Sequence, residues 1–274
     1  MRLCHADKLL LGGAGTVIAS SISLGVTPLS IGVPAVILAG LIADGIARPG
    51  SSLLYPTVSK GPADKPRVAL TFDDGPDAAV TPGVLDTLAA FNARATFFAI
   101  GRNIEQNRAL ARRIVDERHE LGNHSWQHSR LQNFFGRARQ VDDLIRSSQL
   151  IREVTGSETE PLYRPPVGLK SPPLARAAHQ LGMKRMIAWS LHGRDTQQDD
   201  PRRIATGILA RIAAGDIVLL HDGHDLPGRH RTAGARALPL ILQGLKERGL
   251  EAVTVSELLD SSLEKSRRGA FFGQ

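Results

Sequence analysis

The sequence predicts an α/β domain whose parallel strands are joined by crossover helices, closed as a barrel or left open, behind an N-terminal hydrophobic segment. Three observations carry this. Strand-like and helix-like stretches alternate from about residue 67 to residue 256, and that repetition places consecutive strands side by side with a helix crossing between them. Polar residues with chemical potential recur where the strand-like runs stop. The first 48 residues differ in composition from everything that follows.

Residues 9–43 contain no charge, and the apolar character continues to residue 47, interrupted only by Asp44. A helix rises about 1.5 Å per residue and a bilayer core takes about 20 residues, so the stretch is long for one span and tight for two. Pro28 and Pro34, near its middle, mark either a kinked helix or a hairpin of two short helices, with backbone groups freed near the prolines needing partners. Residues 1–48 are therefore expected to anchor the chain in membrane lipid. A signal peptide is the competing reading, because Arg2 and Lys8 give a basic start and "VIAS" resembles a cleavage site. A buried helix of the main domain is a third. Arg2, Lys8 and Arg48 put positive charge at both ends, which leaves sidedness open.

Residues 49–65, rich in Pro, Gly and Ser, read as a linker, residues 66–260 as the catalytic-sized domain and residues 261–274 as a polar tail in which Phe271 and Phe272 could dock. Within the domain "RVALTF" is a buried strand and "VTPGVLDTLAAFN" its helix. The beat continues with "ARATFFAIG" and "NIEQNRALARRIVDERH". A short strand then enters "HELGNHSWQH", and a long helix covers residues 137–155. "PLYRPP", "KRMIAWSL", "DIVLLHDG" and "EAVTVSELL" are the remaining strands, separated by "SPPLARAAHQLG", "DDPRRIATGILARIAAG" and "RALPLILQGLKERGL" as helices.

The chain of 274 residues holds one domain of roughly 200 residues with a real core. Its net charge of +7 favours anionic surfaces such as phospholipid head groups or acidic glycans. Nucleic acid is not an expected partner, since aromatics are 4 % and no basic helix or stacking motif is present. The single cysteine, Cys4, has no partner for an internal disulfide.

The strand ends collect Asp73 and Asp74 after the first strand, His124 and His128 after the third, and Arg164 at the fourth. Asp195 lies beyond "AWSL", and His221 ends "IVLL". In barrels of this type chemistry gathers at that rim. Each feature has a plain alternative. "DDGP" is a respectable turn, and "HSWQH" spaces two imidazoles for a shared metal but arises by chance among nine histidines. "YRPPVG" serves as a rigid connector, and "LLHDG" as a strand end. Their order around one rim is what chance does not supply.

"TFDDGP", "HSWQH", "RPPVG", "WSLHGRD" and "IVLLHD" together resemble the five ordered motifs of the NodB-homology polysaccharide deacetylases, carbohydrate esterase family four, over about residues 67–256. The resemblance implies a distorted (β/α) barrel of about seven strands, a divalent metal, most commonly Zn2+, and hydrolysis of N-acetyl groups on amino sugars. Residue by residue it implies Asp74, His124 and His128 as metal ligands, Asp73 as catalytic base and His221 as catalytic acid. Arg164 would orient Asp73, Asp195 would pair with His221, and the Val167 backbone N–H would stabilise the oxyanion. Amide hydrolysis asks for the same parts, since three protein ligands leave a metal open positions for water and the amine leaves only when protonated.

Two motifs depart from the family pattern. Val167 stands where Tyr is usual, and His192 and Thr196 replace the first Asp and the Trp of the fourth motif. His192 and His224 are possible pocket neighbours, or else plain surface or supporting histidines. The expected substrate is an N-acetylated glycan or a lipid-linked sugar. A deformylase of a lipid-linked amino sugar would use the same machinery. An inactive glycan-binding protein, and a glycoside hydrolase using Asp73 and Asp74, are the alternatives from other classes; the latter leaves the histidines without a task.

Overall fold

The computed structural model describes residues 3–260, so Arg2 and the expected polar tail with Phe271 and Phe272 lie outside the described residues. The chain opens with α1 (His5–Leu24) and α2 (Pro28–Ala47), each 20 residues long, packed as a hairpin. Its turn is specified locally. The Thr27 hydroxyl accepts the Ser30 N–H, the Ser30 hydroxyl accepts the Thr27 N–H, and Pro28 occupies the first helical turn, where a missing N–H costs nothing. Pro34 lies inside α2 without ending it. Gly13 admits the close approach, since a Cβ there would fall 2.5 Å from Leu38.

Among the described residues only α2 is long and apolar enough to cross a bilayer, with a mean hydropathy of 2.0 and 11 % of that window buried. So bare a helix is not a core helix of the domain, and the third reading of the segment fails. The hairpin's foot is nonetheless fixed. Arg176 pairs with Asp7 at 2.6 Å, Cys4 and Ala6 are buried beside Tyr55 and Leu174, and Lys170 Nζ donates to the carbonyls of Arg48 and Pro49 at 3.2 and 2.5 Å. Residues 49–65 lie against the domain rather than hanging free, with Leu54 and Tyr55 buried.

The domain proceeds through β1 (Thr57–Val58), β2 (Arg67–Asp73), α3 (Thr81–Ala90), β3 (Thr96–Ala99), α4 (Gly101–Gln106), α5 (Arg108–Asp116) and β4 (Glu120–Asn123). It continues through α6 (Arg137–Thr155), α7 (Pro172–Gln180), β5 (Met186–Ile187), β6 (Leu191–His192) and α8 (Pro201–Leu209). β7 (Ile217–His221), α9 (Ala233–Glu247), β8 (Glu251–Val253) and α10 (Val255–Leu259) complete it. The ladders between named strands are all parallel. β2 is central, with β7 along one edge and, on the other, β8 beside its first half and β3 beside its second. Strand β2 is buried from Val68 to Asp73, as a parallel strand covered on both faces must be. Phe72 and Phe97 stack at 5.1 Å in the layer between the sheet and its helices, while Ala69, Phe98, Ile187 and Ile217 form a second cluster.

Four expected elements come out differently. "EAVTVSELL" stops as a strand at Val253, because the Thr254 hydroxyl accepts the Glu257 N–H and the Glu257 carboxylate accepts the Thr254 N–H, a capping box that starts α10. "PLYRPP" shrinks to Tyr163, which makes single parallel bridges to Asn123 and Met186, because Pro161 and Pro165 cannot donate to a ladder. "KRMIAWSL" divides into β5 and β6, and the carbonyls of Ile187 and Ala188 are taken by Arg164 Nε and Nη2 at 3.4 and 3.0 Å instead of by a neighbouring strand. The helix after β3 breaks at Asn107, whose side chain donates to the Asn103 carbonyl at 3.1 Å.

Candidate active site

Asp73 is the last residue of β2, and Asp74 follows it with φ 74°. Adjacent strand side chains point to opposite faces, so it is this left-handed step that turns both carboxylates toward one pocket. Such a backbone costs a non-glycine residue about 1–3 kcal/mol and persists where its surroundings enforce it. Here the surroundings are tight: a Cβ on Gly223 would fall 2.4 Å from the Asp74 carbonyl oxygen, and one on Gly75 2.4 Å from the Asp222 carboxylate.

"HSWQH" is a loop rather than a helical face. Ser125 and His128 have φ of 69° and 52°, the Ser125 hydroxyl accepts the His128 N–H at 2.9 Å, and Asn123 Oδ1 accepts the Ser125 N–H at 2.8 Å. His124 Nδ1 lies 2.8 Å from the Arg164 carbonyl, which can only accept, so the hydrogen sits on Nδ1 and the Nε2 lone pair is free. That Nε2 is 3.6 Å from both Asp74 Oδ1 and Asp73 Oδ2, and His128 Nε2 is 3.3 Å from Asp74 Oδ1. Burial, reinforced by the neighbouring charge of His128, lowers the His124 pKa to about 3, so its ring is neutral at physiological pH.

These residues fit a divalent cation. Asp74 Oδ1 is buried without a hydrogen-bond partner, and the converging atoms of Asp74, His124 and His128 lie within 4.8 Å of one another. A carboxylate with two imidazoles is a donor set suited to zinc and its neighbours.

Arg164 is fully buried behind the pair. Its Nη1 donates to Asp73 Oδ1 at 2.7 Å and to Thr71 Oγ1 at 2.8 Å, and its guanidinium stacks 4.1 Å over Phe98. Opposite, His221 lies in register with Asp73 across the β2–β7 ladder. Asp195 grips it twice: Oδ1 is 3.1 Å from His221 Nδ1, and Oδ2 accepts the His221 N–H at 2.8 Å. Burial alone would lower the His221 pKa, but the hydrogen bond and charge of Asp195, with the charges of Asp74 and Asp73, raise it above the ordinary imidazole value.

Asp73, Asp74, His124, His128 and Arg164 thus form one connected group, and His221 with Asp195 faces it. Val167 lies three residues beyond Arg164 in the turn Pro166–Gly168, exposed, with φ 59°. His192 is half-buried on β6 in register with Leu219, hence on the same sheet face as His221, and its ring makes no hydrogen bond among the described residues. His224 turns aside: its Nδ1 accepts the Leu226 N–H at 2.9 Å, with Asp225 Oδ1 2.9 Å from the same atom.

Four further residues were not singled out from the sequence. Asp222 is buried, accepts the Thr81 hydroxyl at 2.6 Å, and has its pKa raised to about 7, chiefly by burial; the Thr81 bond opposes the shift and the charges of Asp74, Asp73 and Asp77 add to it. Arg231 Nη1 donates to Asp74 Oδ2, and its Nη2 lies 3.4 Å from Asp225 Oδ1. Arg130 Nη2 is 3.1 Å from Asp225 Oδ2. For Asp222, Asp225 and Arg231 the available signal was the charge crowded into "HDGHDLPGRHR" directly after a strand end. A cleft of about 540 Å³, lined among others by Asp195, Gln197, His224, Arg229 and Arg231, opens beside the group.

A parallel α/β domain that gathers paired carboxylates, two imidazoles and an Asp–His pair at its strand ends defines a class of carbohydrate-directed hydrolases. The chain belongs to the polysaccharide deacetylase family: the family profile of that description matches residues 60–186, and the relatives agree. It is 37 % identical over 201 residues to a peptidoglycan-N-acetylglucosamine deacetylase of Bacillus cereus, covering 72 % of this chain and 90 % of the relative. It is 36 % identical over 214 residues to the peptidoglycan-N-acetylglucosamine deacetylase PgdA of Listeria monocytogenes, covering 78 % of this chain and spanning 43 % of that longer protein. The crystal structure of the Bc1960 peptidoglycan N-acetylglucosamine deacetylase superposes with a TM-score of 0.67 at 31 % identity, over 75 % of this chain and 94 % of the other.

Proposed function

We propose that the chain is a carbohydrate N-deacetylase acting on N-acetylated amino sugars of a peptidoglycan-like or lipid-linked glycan. One observation carries the reading: the buried Asp74 Oδ1 faces two imidazole Nε2 atoms with no hydrogen-bond partner of its own, while the adjacent Asp73 is held by Arg164.

Asp74 Oδ1, His124 Nε2 and His128 Nε2 would hold a divalent cation, Zn2+ in the simplest case, which when bound supplies Lewis acidity and lowers the pKa of a coordinated water toward about 7. Asp73 has one oxygen committed to Arg164, so Oδ2 is the atom that takes the proton of the attacking water. His221, its Nδ1 held by Asp195, delivers a proton from Nε2 to the leaving nitrogen, a contribution of about 10²–10⁴-fold. The Val167 backbone N–H, in a turn fixed by the Gly168 N–H to Pro165 carbonyl bond at 2.9 Å, donates to the oxyanion. Acetate and a free amino sugar are the products.

The hairpin associates with membrane lipid. Its 20-residue α2 matches a bilayer core in length, and its foot is clamped at Lys170 and Arg176, close in sequence to Val167. That proximity supports a working rim near the lipid surface and favours a membrane-proximal glycan. The test is release of acetate, with formate assayed in parallel, from N-acetylated oligosaccharides and from a lipid-linked amino sugar. Acetate release that chelation abolishes and Zn2+ restores supports the reading. No acyl release from any of them defeats it.

A further inference from the structure

Asp225 has no part in the proton transfers above, yet its carboxylate stands between two of the three residues that converge on the cation site. His128 points Nε2 at Asp74 Oδ1, 3.3 Å away, so a coordinating ring must carry its hydrogen on Nδ1. That Nδ1 is buried and has no hydrogen-bond partner, and Asp225 Oδ2 lies 3.9 Å from it. A buried N–H left unmade costs about 1–3 kcal/mol, and a shift of under an ångström would close this one onto a carboxylate. On its other side Asp225 Oδ1 is 3.4 Å from Arg231 Nη2, while Arg231 Nη1 donates to Asp74 Oδ2. The Arg231 fork therefore spans two carboxylates and leaves Asp74 Oδ1 as the oxygen free to ligate.

Asp225 is itself anchored by side chains that are not ligands. Arg130 donates to Oδ2 through Nη2 and Nε at 3.1 and 3.2 Å, and Arg102 Nη2 donates to the Asp225 backbone carbonyl. Those two arginines belong to different segments, α4 and the loop following His128, so the carboxylate is fixed from outside the loop that carries it. We propose that Asp225 is the positioning residue of the cation site: it fixes the His128 ring through Nδ1 and, through Arg231, the rotamer of Asp74. The inference rests on the reading of Asp74, His124 and His128 as a divalent-cation site. Partners of this kind set ligand orientation and basicity, and their loss typically weakens metal binding by about 10–100-fold.

The test uses the full chain in detergent, stripped of metal, titrated with Zn2+ against a chromophoric chelator and with Co2+ by its visible absorption. Asp225→Asn keeps the volume and should weaken Zn2+ binding by about 10–100-fold and change the Co2+ spectrum. Arg231→Gln should weaken it as well, and the double variant by less than the product of the two, because one chain of contacts serves Asp74 in both. A role confined to holding the loop would instead lower the melting temperature of the metal-free protein and leave the Zn2+ dissociation constant in place. Wild type that binds Zn2+, with both single variants within twofold of it, overturns this inference alone. Wild type that binds no Zn2+ overturns the cation site and this inference with it. If Asp225→Asn does not fold, Arg231→Gln decides on the same twofold threshold.

Discussion

Arg164 Nη1 donates to Asp73 Oδ1 at 2.7 Å, and the two side chains are 0 % and 5 % exposed. Burial lowers the Arg164 pKa, and the charge and hydrogen bond of Asp73 oppose that loss. The pair holds because neither ion has another home. Removing one partner of such a pair leaves a buried charge unmatched and costs about 3–5 kcal/mol. Arg164→Gln should destabilise the metal-free protein by that order in urea unfolding, and adding Asp73→Asn should recover part of it. A single variant as stable as wild type would mean that water reaches the pair.

The two neighbouring acids should separate cleanly. Asp73→Asn keeps Asp74, His124 and His128 intact and should abolish turnover while Zn2+ content stays near one per chain. Asp74→Ala removes the unpartnered Oδ1 and should lose both. Metal analysis beside acetate release reads the difference, and equal metal loss in the two variants would exchange their roles.

How far these residues could be found without coordinates depended on where each sits. Asp73, His124, Arg164 and His221 end or adjoin runs of buried residues, and a strand that stops at a polar residue is visible in one dimension. The length of α6, Arg137–Thr155, was legible for the same reason, since helical periodicity persists along it. The strand around Tyr163 was not, because Pro161 and Pro165 have no N–H to give a ladder and cut it to single bridges with Asn123 and Met186. Asp225 and Arg231 escaped because their meaning lies in contacts with Asp74 and His128, some 100 or more residues away in sequence. The positive φ of Asp74, which explains how adjacent residues share a pocket, leaves no mark in a composition.

The acid role proposed for His221 predicts a pH dependence. Its pKa is raised in the folded protein, so the protonated form survives to higher pH than a free imidazole would, and the alkaline limb of kcat/KM should fall above the ordinary histidine value. Asp195→Asn removes a raising partner, so the limb should move to lower pH and kcat should fall. His221→Ala should slow amide substrates far more than activated aryl esters, whose leaving group needs no proton. Equal slowing of both, or an unmoved limb in Asp195→Asn, would remove His221 from the acid role.

Asp222 predicts a stability effect of its own. Its folded pKa is raised from 3.8 to about 7, chiefly by burial, so folding favours its protonated form. The sign follows: this group's contribution is most favourable below pH 3.8 and is lost as pH rises through about 7. Asp222→Asn, which cannot ionise, should therefore gain stability relative to wild type between pH 5 and pH 8 in metal-free protein. Thermal melts across that range give the answer, and a constant difference at every pH would show that the carboxyl does not titrate there.

The hairpin makes the most direct prediction, because nothing among the described residues covers its exposed face. Val36 and Ile37 lie near the middle of α2 and are 73 % and 58 % exposed, and the opposing α1 leaves Ile18 and Ile22 60 % and 80 % exposed. In water such a surface is unfavourable at about 25 cal/mol per Å² of apolar area. In lipid it is matched, and a charged residue near the middle would cost about 2.5–3.5 kcal/mol. The full chain should float with phospholipid vesicles through a density gradient. Val36→Lys with Ile37→Asp should abolish flotation while acetate release from a soluble oligosaccharide is kept, since neither side chain is within the domain's core. Deleting residues 1–47 is a harsher change: it also strips the cover from Tyr55 and Leu174 and the ion pair on Arg176, and should lower the melting temperature of the domain as well. Flotation that survives the two charges would place the lipid contact elsewhere on the chain, and loss of activity alongside flotation would mean that the hairpin supports the rim rather than merely holding it at the membrane.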